Sequence, residues 1–305
     1  MSEDIAFNRA FDAPPGRVDQ VSPLVRRIVA PNPSPFTFTG TCSYIIGQGQ
    51  VAILDPGPDD PAHIAAVLDA VRHETVTHIV VTHTHRDHSP AARAVVAATG
   101  AVTLGEGPHR AARPLAIGEV NPLDASADTD FSPDLRLGEG DTVAGPGWTL
   151  TAVETPGHCA NHLAFALKED DLLFSGDHVM AWATSIVAPP DGSMGDYIQS
   201  LEKLALRQER IYLPGHGGPV KDAPAFVRDY LAHRLARETA ILRALDREVE
   251  TIPDLVRGIY IGLDPRLVGA ASLTVLAHLE HLVSGGRVVT DGPAPAITGR
   301  FRRAA

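Results

Sequence analysis

The chain has 305 residues, 44% of them hydrophobic, with 26 Lys+Arg against 37 Asp+Glu and a formal net charge of −11. That length can bury one large core, or a large and a small one, and the two distant cysteines, Cys42 and Cys159, exclude a disulfide framework and fit a reducing compartment. Residues 210–305 carry 13 Lys+Arg against 10 Asp+Glu, leaving 13 against 27 for residues 1–209, so the larger part repels nucleic-acid phosphates and any such contact would begin near the C-terminus.

The opening MSEDIAFNRAFDAPPGR lacks a basic start followed by an apolar run, and no segment reaches the roughly 18 uninterrupted apolar residues of a membrane span. Export and membrane insertion are therefore not expected, and a cytoplasmic location is. SYIIG and QVAILDPG predict two strands joined at Gly47-Gln48-Gly49 into an antiparallel hairpin. In DDPAHIAAVLDAVRHE, Asp60 is a helix N-cap, Pro61 suits the first helical position, and Ile64, Val67, Leu68 and Val71 form one apolar stripe. THIVVTH predicts a buried strand. Ser89-Pro90 then repeats the cap-and-proline signal for a helix through AARAVVAAT that Gly100 ends, and AVTLGE is the next strand.

Residues 105–147 are rich in Pro, Gly, Asp and Ser and predict an irregular connection with room for one short helix; connections that long are more often functional than idle. WTLTAVETPGH, HLAFALKE and DLLFSGD predict a second group of strands, GDYIQSLEKLAL a helix capped by Asp196, and RIYLPGHGG a last strand entering a glycine-rich bend. After Lys221, DAPAFVRDYLAHRLARETAILRALDREV predicts one long amphipathic helix. IPDLVRGIY and PRLVGAASLTVLAHLEHLVSGG give further helices, and RVVTDG with AITGRF a closing hairpin, which together is the order of a winged-helix module. The expected division is a catalytic domain over 1–221, followed by the long helix and winged-helix-like domain over 222–305.

The chemistry concentrates at strand ends. THTHRDH delivers His83, His85, Asp87 and His88 to a sheet rim, where a loop can gather side chains without burying unpaired backbone. TPGH places His158, FSGD places Asp177 and LPGH places His216 after three further strands, each beside Gly or Pro residues that permit a tight bend. Neutral imidazole and carboxylate are zinc ligands, and a catalytic zinc keeps an open position for water.

In this order, HTHRDH, TPGH, SGD and PGHG, the motifs resemble the metallo-beta-lactamase superfamily. The resemblance implies an α/β fold, an αββα sandwich of two mixed sheets with helices outside. It also implies two zinc ions per chain: His83, His85 and His158 on the first, Asp87, His88 and His216 on the second, and Asp177 bridging. Iron or manganese in one position is an alternative. NPSPFTFTGTCSYIIG, SIVAPPDGSMGDYIQSL, YLPGHGGPV and YLAHRLARE are similar to the lactamase-beta-like 2 branch, which carries a C-terminal winged helix and includes proteins described as endoribonucleases. Cys42-Ser43 departs from the Asn-Thr of many relatives, which alters the pocket wall and leaves the ligand set intact.

Two metals roughly 3.5 to 4 Å apart are expected to deprotonate a bridging water for attack on a carbonyl or phosphoryl centre, with Asp87 as the residue holding the transferred proton. The first expected substrate is an ester, thioester or lactone of a small metabolite, favoured by the acidic catalytic part. Single-stranded RNA is a second, and a winged-helix nucleic-acid-binding regulator with structural metals is a third reading from another class. A homodimer through the long helix is a further expectation. Asp55 is read as either support for a ligand or a turn former. His162 and His178 are read as pocket or supporting residues, and Cys159 as a buried inert thiol. His63, His73, His78, His109, His233, His278 and His281 are read as ordinary surface or core residues, and Arg300, Arg302 and Arg303 as a solvated terminus.

Overall fold

The computed structural model describes residues 5–115, 119, 121 and 124–304. A seven-stranded sheet contains β1 (Val18–Ser22), β2 (Val25–Val29), β3 (Cys42–Gln48), β4 (Gln50–Leu54), β5 (Thr75–Val80), β6 (Val102–Gly105) and β7 (Leu135–Arg136), side by side in chain order. The first four strands pair antiparallel, and β4 through β7 pair parallel. The second sheet contains β8 (Thr142–Gly145), β9 (Trp148–Glu154), β10 (Leu163–Leu167), β11 (Leu172–Gly176), β12 (Ile211–Pro214) and β13 (Val220–Lys221), also in chain order across the sheet. In it only β11 and β12 pair parallel.

Alternation along the strands divides the cores, because successive side chains leave a strand on opposite faces. Tyr44, Ile46 and Leu54 of the first sheet meet Leu150, Phe165, Phe174 and Leu213 of the second between the sheets. Ile45 and Ile53 point outward, where Val67 of α1 (Pro61–Ala70) and Val95 of α2 (Ala92–Thr99) cover them. On the far side, Ala164, Leu173 and Tyr212 pack under Tyr197 and Leu201 of α3 (Met194–Ala205) and Val227 and Tyr230 of α4 (Ala223–Leu245). This is the αββα sandwich that the resemblance implies.

A separate core joins Ile241, Leu242 and Leu245 of α4 to α5 (Ile252–Ile259), α6 (Val268–Ser284) and the hairpin of β14 (Val288–Thr290) and β15 (Phe301–Arg303). The winged-helix order is therefore present, and α4 is shared: its first half closes the sandwich and its second half belongs to the C-terminal core. Pro265–Ser284 is long and apolar enough by composition to cross a membrane, with a mean hydropathy of 1.4. Its apolar residues Val275, Leu276, Leu279 and Leu282 are instead buried in the protein's own core.

Two cap assignments are corrected. Ser89 does not cap α2: its hydroxyl donates to Asp128 Oδ2 at 2.7 Å, and the helix begins at Ala92 without a side-chain cap. The α3 cap is Ser193, whose Oγ accepts from the Asp196 amide. The connection expected over 105–147 holds the short helix, as a 3-10 turn at Asp124–Ser126, and also β7 and β8; its positions 116–118, 120, 122 and 123 lie outside the described residues. β1, half exposed, and β2, buried but interrupted by Arg26 and Arg27, have no counterpart in the expected elements.

Candidate metal centre

Strand direction assembles the site. β9, β11 and β12 all run the same way, since β9 and β11 are each antiparallel to β10 while β12 is parallel to β11. Their C-terminal ends release the loops with His158, Asp177 and His216. β4 and β5, parallel neighbours in the other sheet, end at Asp55 and at the 83–88 loop. The two rims are stitched by Leu163 N to Thr82 O at 2.8 Å and Cys42 N to Gly215 O at 2.7 Å. All seven ligand candidates named from the sequence thus converge.

Each of the five histidines has its far nitrogen on an acceptor. His88 Nδ1 donates to Asp55 Oδ2 at 2.9 Å, His85 Nε2 to Asp191 Oδ2 at 3.0 Å, and His158 Nδ1 to the Ile186 carbonyl at 2.6 Å. His216 Nδ1 donates to the Gly40 carbonyl at 3.4 Å. His83 Nδ1 meets Thr82 Oγ1 at 3.0 Å, whose own proton goes to Asp55 Oδ2 at 2.8 Å, so His83 donates there. The other nitrogen of every ring is aimed into one space, as a lone pair on His83, His85 and His158 and facing carboxylates on His88 and His216.

These lone pairs face one another. His85 Nδ1 lies 3.1 Å from His83 Nε2 and 3.0 Å from His158 Nε2. Beside them, His216 Nε2 is 3.2 Å from Asp87 Oδ2 and 3.3 Å from Asp177 Oδ2, and His88 Nε2 is 3.5 Å from both Asp87 Oδ2 and Asp177 Oδ1. Asp177 Oδ2 also stands 3.7 Å from His158 Nε2, so this carboxylate lies between the two groups. Among the described residues, His88 Nε2 and Asp177 Oδ1 are buried polar atoms without a hydrogen-bond partner. Acceptors packed this closely repel one another unless positive charge, as protons or as a metal, sits between them, and a divalent cation supplies it. The residues present therefore fit a metal, in groups built on His83, His85, His158 and Cys159; on His83, His88 and Asp177; and on Asp87, His88 and His216.

The electrostatics point the same way. Burial, then neighbouring imidazoles, hold His83 well below the ordinary histidine range, and burial takes His158 down to about 4, so both remain neutral ligands. Against burial, which pulls it down, Asp177 and Asp87 push His216 up to about 9; Asp87, Asp177 and Asp55 likewise push up His88. Without a metal this half of the centre holds protons where the ion's charge belongs.

Several neighbours settle into supporting places. His162 donates from Nδ1 to Thr155 Oγ1 at 2.8 Å and accepts the Asp177 amide on Nε2 at 3.1 Å, which orients the central carboxylate. His178 stacks on Tyr197 with ring centres 4.3 Å apart and takes no part in the ligand groups. Cys159 Sγ lies within reach of the first group, 3.9 Å from His85 Nε2, but that nitrogen is committed to Asp191 and burial keeps the thiol protonated. Asp55 is both things expected of it, a positive-φ turn residue (φ 49°) and the acceptor for His88 and Thr82.

Two residues of the centre were not recognised from the sequence. Asp191 is fully buried and holds His85, and His109, set aside as ordinary, puts Nε2 2.9 Å from Asp191 Oδ1. Asp191 follows no predicted strand end, the signal that locates the others; His109 does, three residues past AVTLGE, but with no second ligand type beside it.

Residues 36–216 match the family model for the metallo-beta-lactamase superfamily, and residues 251–294 match that for the beta-lactamase associated winged helix domain. A beta-lactamase-like protein 2 homolog of Caenorhabditis elegans is 32% identical, covering 89% of this chain and 88% of its own length. An atrochrysone carboxyl ACP thioesterase of Paecilomyces divaricatus is 29% identical over 75% of this chain and 67% of its own. A crystal structure of a metallo-beta-lactamase family protein from Thermus thermophilus superposes with a TM-score of 0.75 at 24% identity, covering 93% of this chain and all of that one.

Proposed function

Because the chain belongs to the metallo-beta-lactamase superfamily, a class of metal-dependent hydrolases, we propose that it hydrolyses an ester, thioester or lactone of a small metabolite with two zinc ions at the rim. The observation that carries this is the convergence of five imidazole nitrogens around the Asp177 carboxylate. When bound, the metals supply a Lewis acid for the substrate oxygen and a water made nucleophilic near neutral pH.

The chain's own residues divide the remaining work. His83, His85 and His158 would hold one ion, Asp87, His88 and His216 the other, and Asp177 both. Asp87 is the most open of the metal-facing side chains, 25% exposed against 9% for Asp177 and 1% for His216. Its Oδ2 also accepts from Thr41 Oγ1 at 3.2 Å, which fixes the carboxylate toward the mouth. A carboxylate so placed can receive a proton from the attacking water and return it to a leaving group.

A thioester or ester is favoured over RNA by the acidic balance of residues 1–209 and by the relative named as a thioesterase. Against a groove-reading regulator speaks α6, the helix such a module would insert. It carries Glu280 as its one charged Asp, Glu, Lys or Arg residue, and none of positions 271–283 is exposed. The test pairs metal analysis of the purified protein with turnover of an acyl thioester, a lactone and a short single-stranded RNA. The expected result is chelator-sensitive hydrolysis of an acyl probe. Cleavage of RNA alone, falling steeply with added salt, would overturn the reading.

A further inference from the structure

We infer that Asp191 and His109 are positioning residues for the metal ligand His85, and that the C-terminal winged-helix region holds them in place through the Arg113–Glu280 ion pair. The inference rests on the proposed metal role of His85.

The path can be followed atom by atom. Asn161 Nδ2 donates to Thr84 Oγ1 at 2.8 Å, so the threonine proton is free to go to His109 Nδ1, 3.0 Å away. His109 Nε2 lies 2.9 Å from Asp191 Oδ1, a close contact outside hydrogen-bond geometry. Asp191 Oδ2 takes the proton of His85 Nε2 at 3.0 Å. One buried carboxylate therefore accepts from His85, which faces the metal site, and stands against a second imidazole on the loop after β6, and its charge leaves the lone pair of His85 Nδ1 pointing at His83 and His158.

Both ends of this arrangement are fastened to the body. The segment carrying Asp191 lies directly on the backbone of the His158 loop: a Cβ on Gly192 would sit 2.4 Å from the Gly157 oxygen and 2.6 Å from that of His158, so only glycine fits. The loop carrying His109 is zipped to the same segment by Ala112 N to Pro190 O at 2.7 Å. The next residue, Arg113, leaves the sandwich. Its guanidinium donates to Glu280 Oε1 of α6 at 2.6 and 3.1 Å and to Glu119 at 2.7 Å from each of two nitrogens. A half-buried arginine held by two carboxylates is a fixed anchor rather than a solvated pair. The winged-helix region thus acts on the centre as a brace for the loop.

The test is titration of the metal-free, full-length protein with Co2+, followed by the visible absorption of the bound ion. Wild-type binding of two ions tests the parent reading; the differences between variants test this one. Asp191→Ala leaves the buried His85 Nε2–H without its acceptor and removes the carboxylate beside His109, and is expected to weaken one of the two ions by about 10- to 100-fold. His109→Phe and Glu280→Gln are expected to weaken that same ion by less, in that order, with an altered absorption band. Binding of both ions by Asp191→Ala as in wild type would overturn the inference, and so would equal loss of both ions. If Asp191→Ala does not fold, as judged by the melting of the metal-free protein, Asp191→Asn is titrated against the same criteria. A Glu280→Gln titration indistinguishable from wild type would remove the winged-helix region from the path.

Discussion

Two clusters of buried histidines and carboxylates occupy this molecule, one at the sheet rim and one where α4 meets α6. In the second, Glu238 Oε1 lies 3.6 Å from both His278 Nδ1 and His281 Nε2, and its other oxygen 3.6 Å from Arg287. By residue type the two look alike, although His281 and Arg287 of the second are partly exposed. They differ in charge compensation and in where lone pairs point. At the rim the acceptors stand 3.0 to 3.5 Å apart with no arginine or lysine among the charges that shift them, and Asp177 and Asp87 drive His216 up to about 9. At the junction the positive charge is built in: burial and then Arg234 and its neighbours hold His278 down, at about 4, and Arg287 faces the carboxylate. A metal centre is thus marked by an unmet demand for positive charge, and the junction has no such demand.

The largest effect that could break this contrast is at the rim. Asp177→Ala removes the carboxylate between the two ligand groups and is expected to lower kcat by about a thousandfold or more, the loss of several kcal/mol of metal-derived stabilisation. Metal content per chain should fall with it. Glu238→Ala is the counterpart at the junction. It strips a buried carboxylate from beside Arg287 and two histidines, and is expected to cost about 3 kcal/mol in urea denaturation with metal content unchanged. Loss of metal from the Glu238 variant would mean that the two clusters are not the separate kinds argued above.

A smaller effect sharpens the rim half. Asp55→Asn keeps the shape of a side chain that serves the Thr82 amide, the Thr82 hydroxyl and His88 Nδ1 at 2.7 to 2.9 Å, and replaces one acceptor oxygen by a donor. The expected result is a 10- to 100-fold weaker metal affinity with little change in melting temperature, read by competition with a chelator.

How far the sequence discloses the molecule follows the same line. The cluster of candidate ligands was legible because each member sits one to a few residues past an apolar strand, as in VVTHTHRDH, LFSGD and YLPGH, so that local pattern and chemistry coincide. The strands β3 to β6, β9 to β12 and the helices were legible from alternation and helical stripes. β1, β2, β7 and β8 were not: they are exposed, short or charged, and are strands through the neighbours they pair with rather than through any period of their own. Asp191 and His109 were invisible for a related reason. They are separated from His85 by about 106 and 24 positions of chain, and only the packing of two loops brings them to it. The Ser89 cap misled because its hydroxyl found Asp128, a tertiary partner that no local rule contains.

The finest discrimination between the two regions is by pH. His278 at the junction is pushed to about 4 by burial, so as pH falls below its ordinary value near 6.5 the unfolded chain takes up a proton that the folded chain refuses. Stability is therefore present above 6.5 and is lost as pH falls toward 4, by at most about 1.4 kcal/mol per pH unit for that residue. His216 has the opposite sign. Raised to about 9 in the metal-free chain, it keeps its proton folded where the unfolded chain has lost it, so its contribution is full below 6.5 and disappears as pH rises through 9. A bound divalent ion takes the place of that proton, so the alkaline loss should be present in the metal-free protein and absent from the loaded one. The acidic loss from His278 is indifferent to metal and should diminish in His278→Gln. Urea midpoints measured from pH 4 to 9, with and without metal, separate the two: an alkaline arm unchanged by metal would place the demand for positive charge somewhere other than the rim.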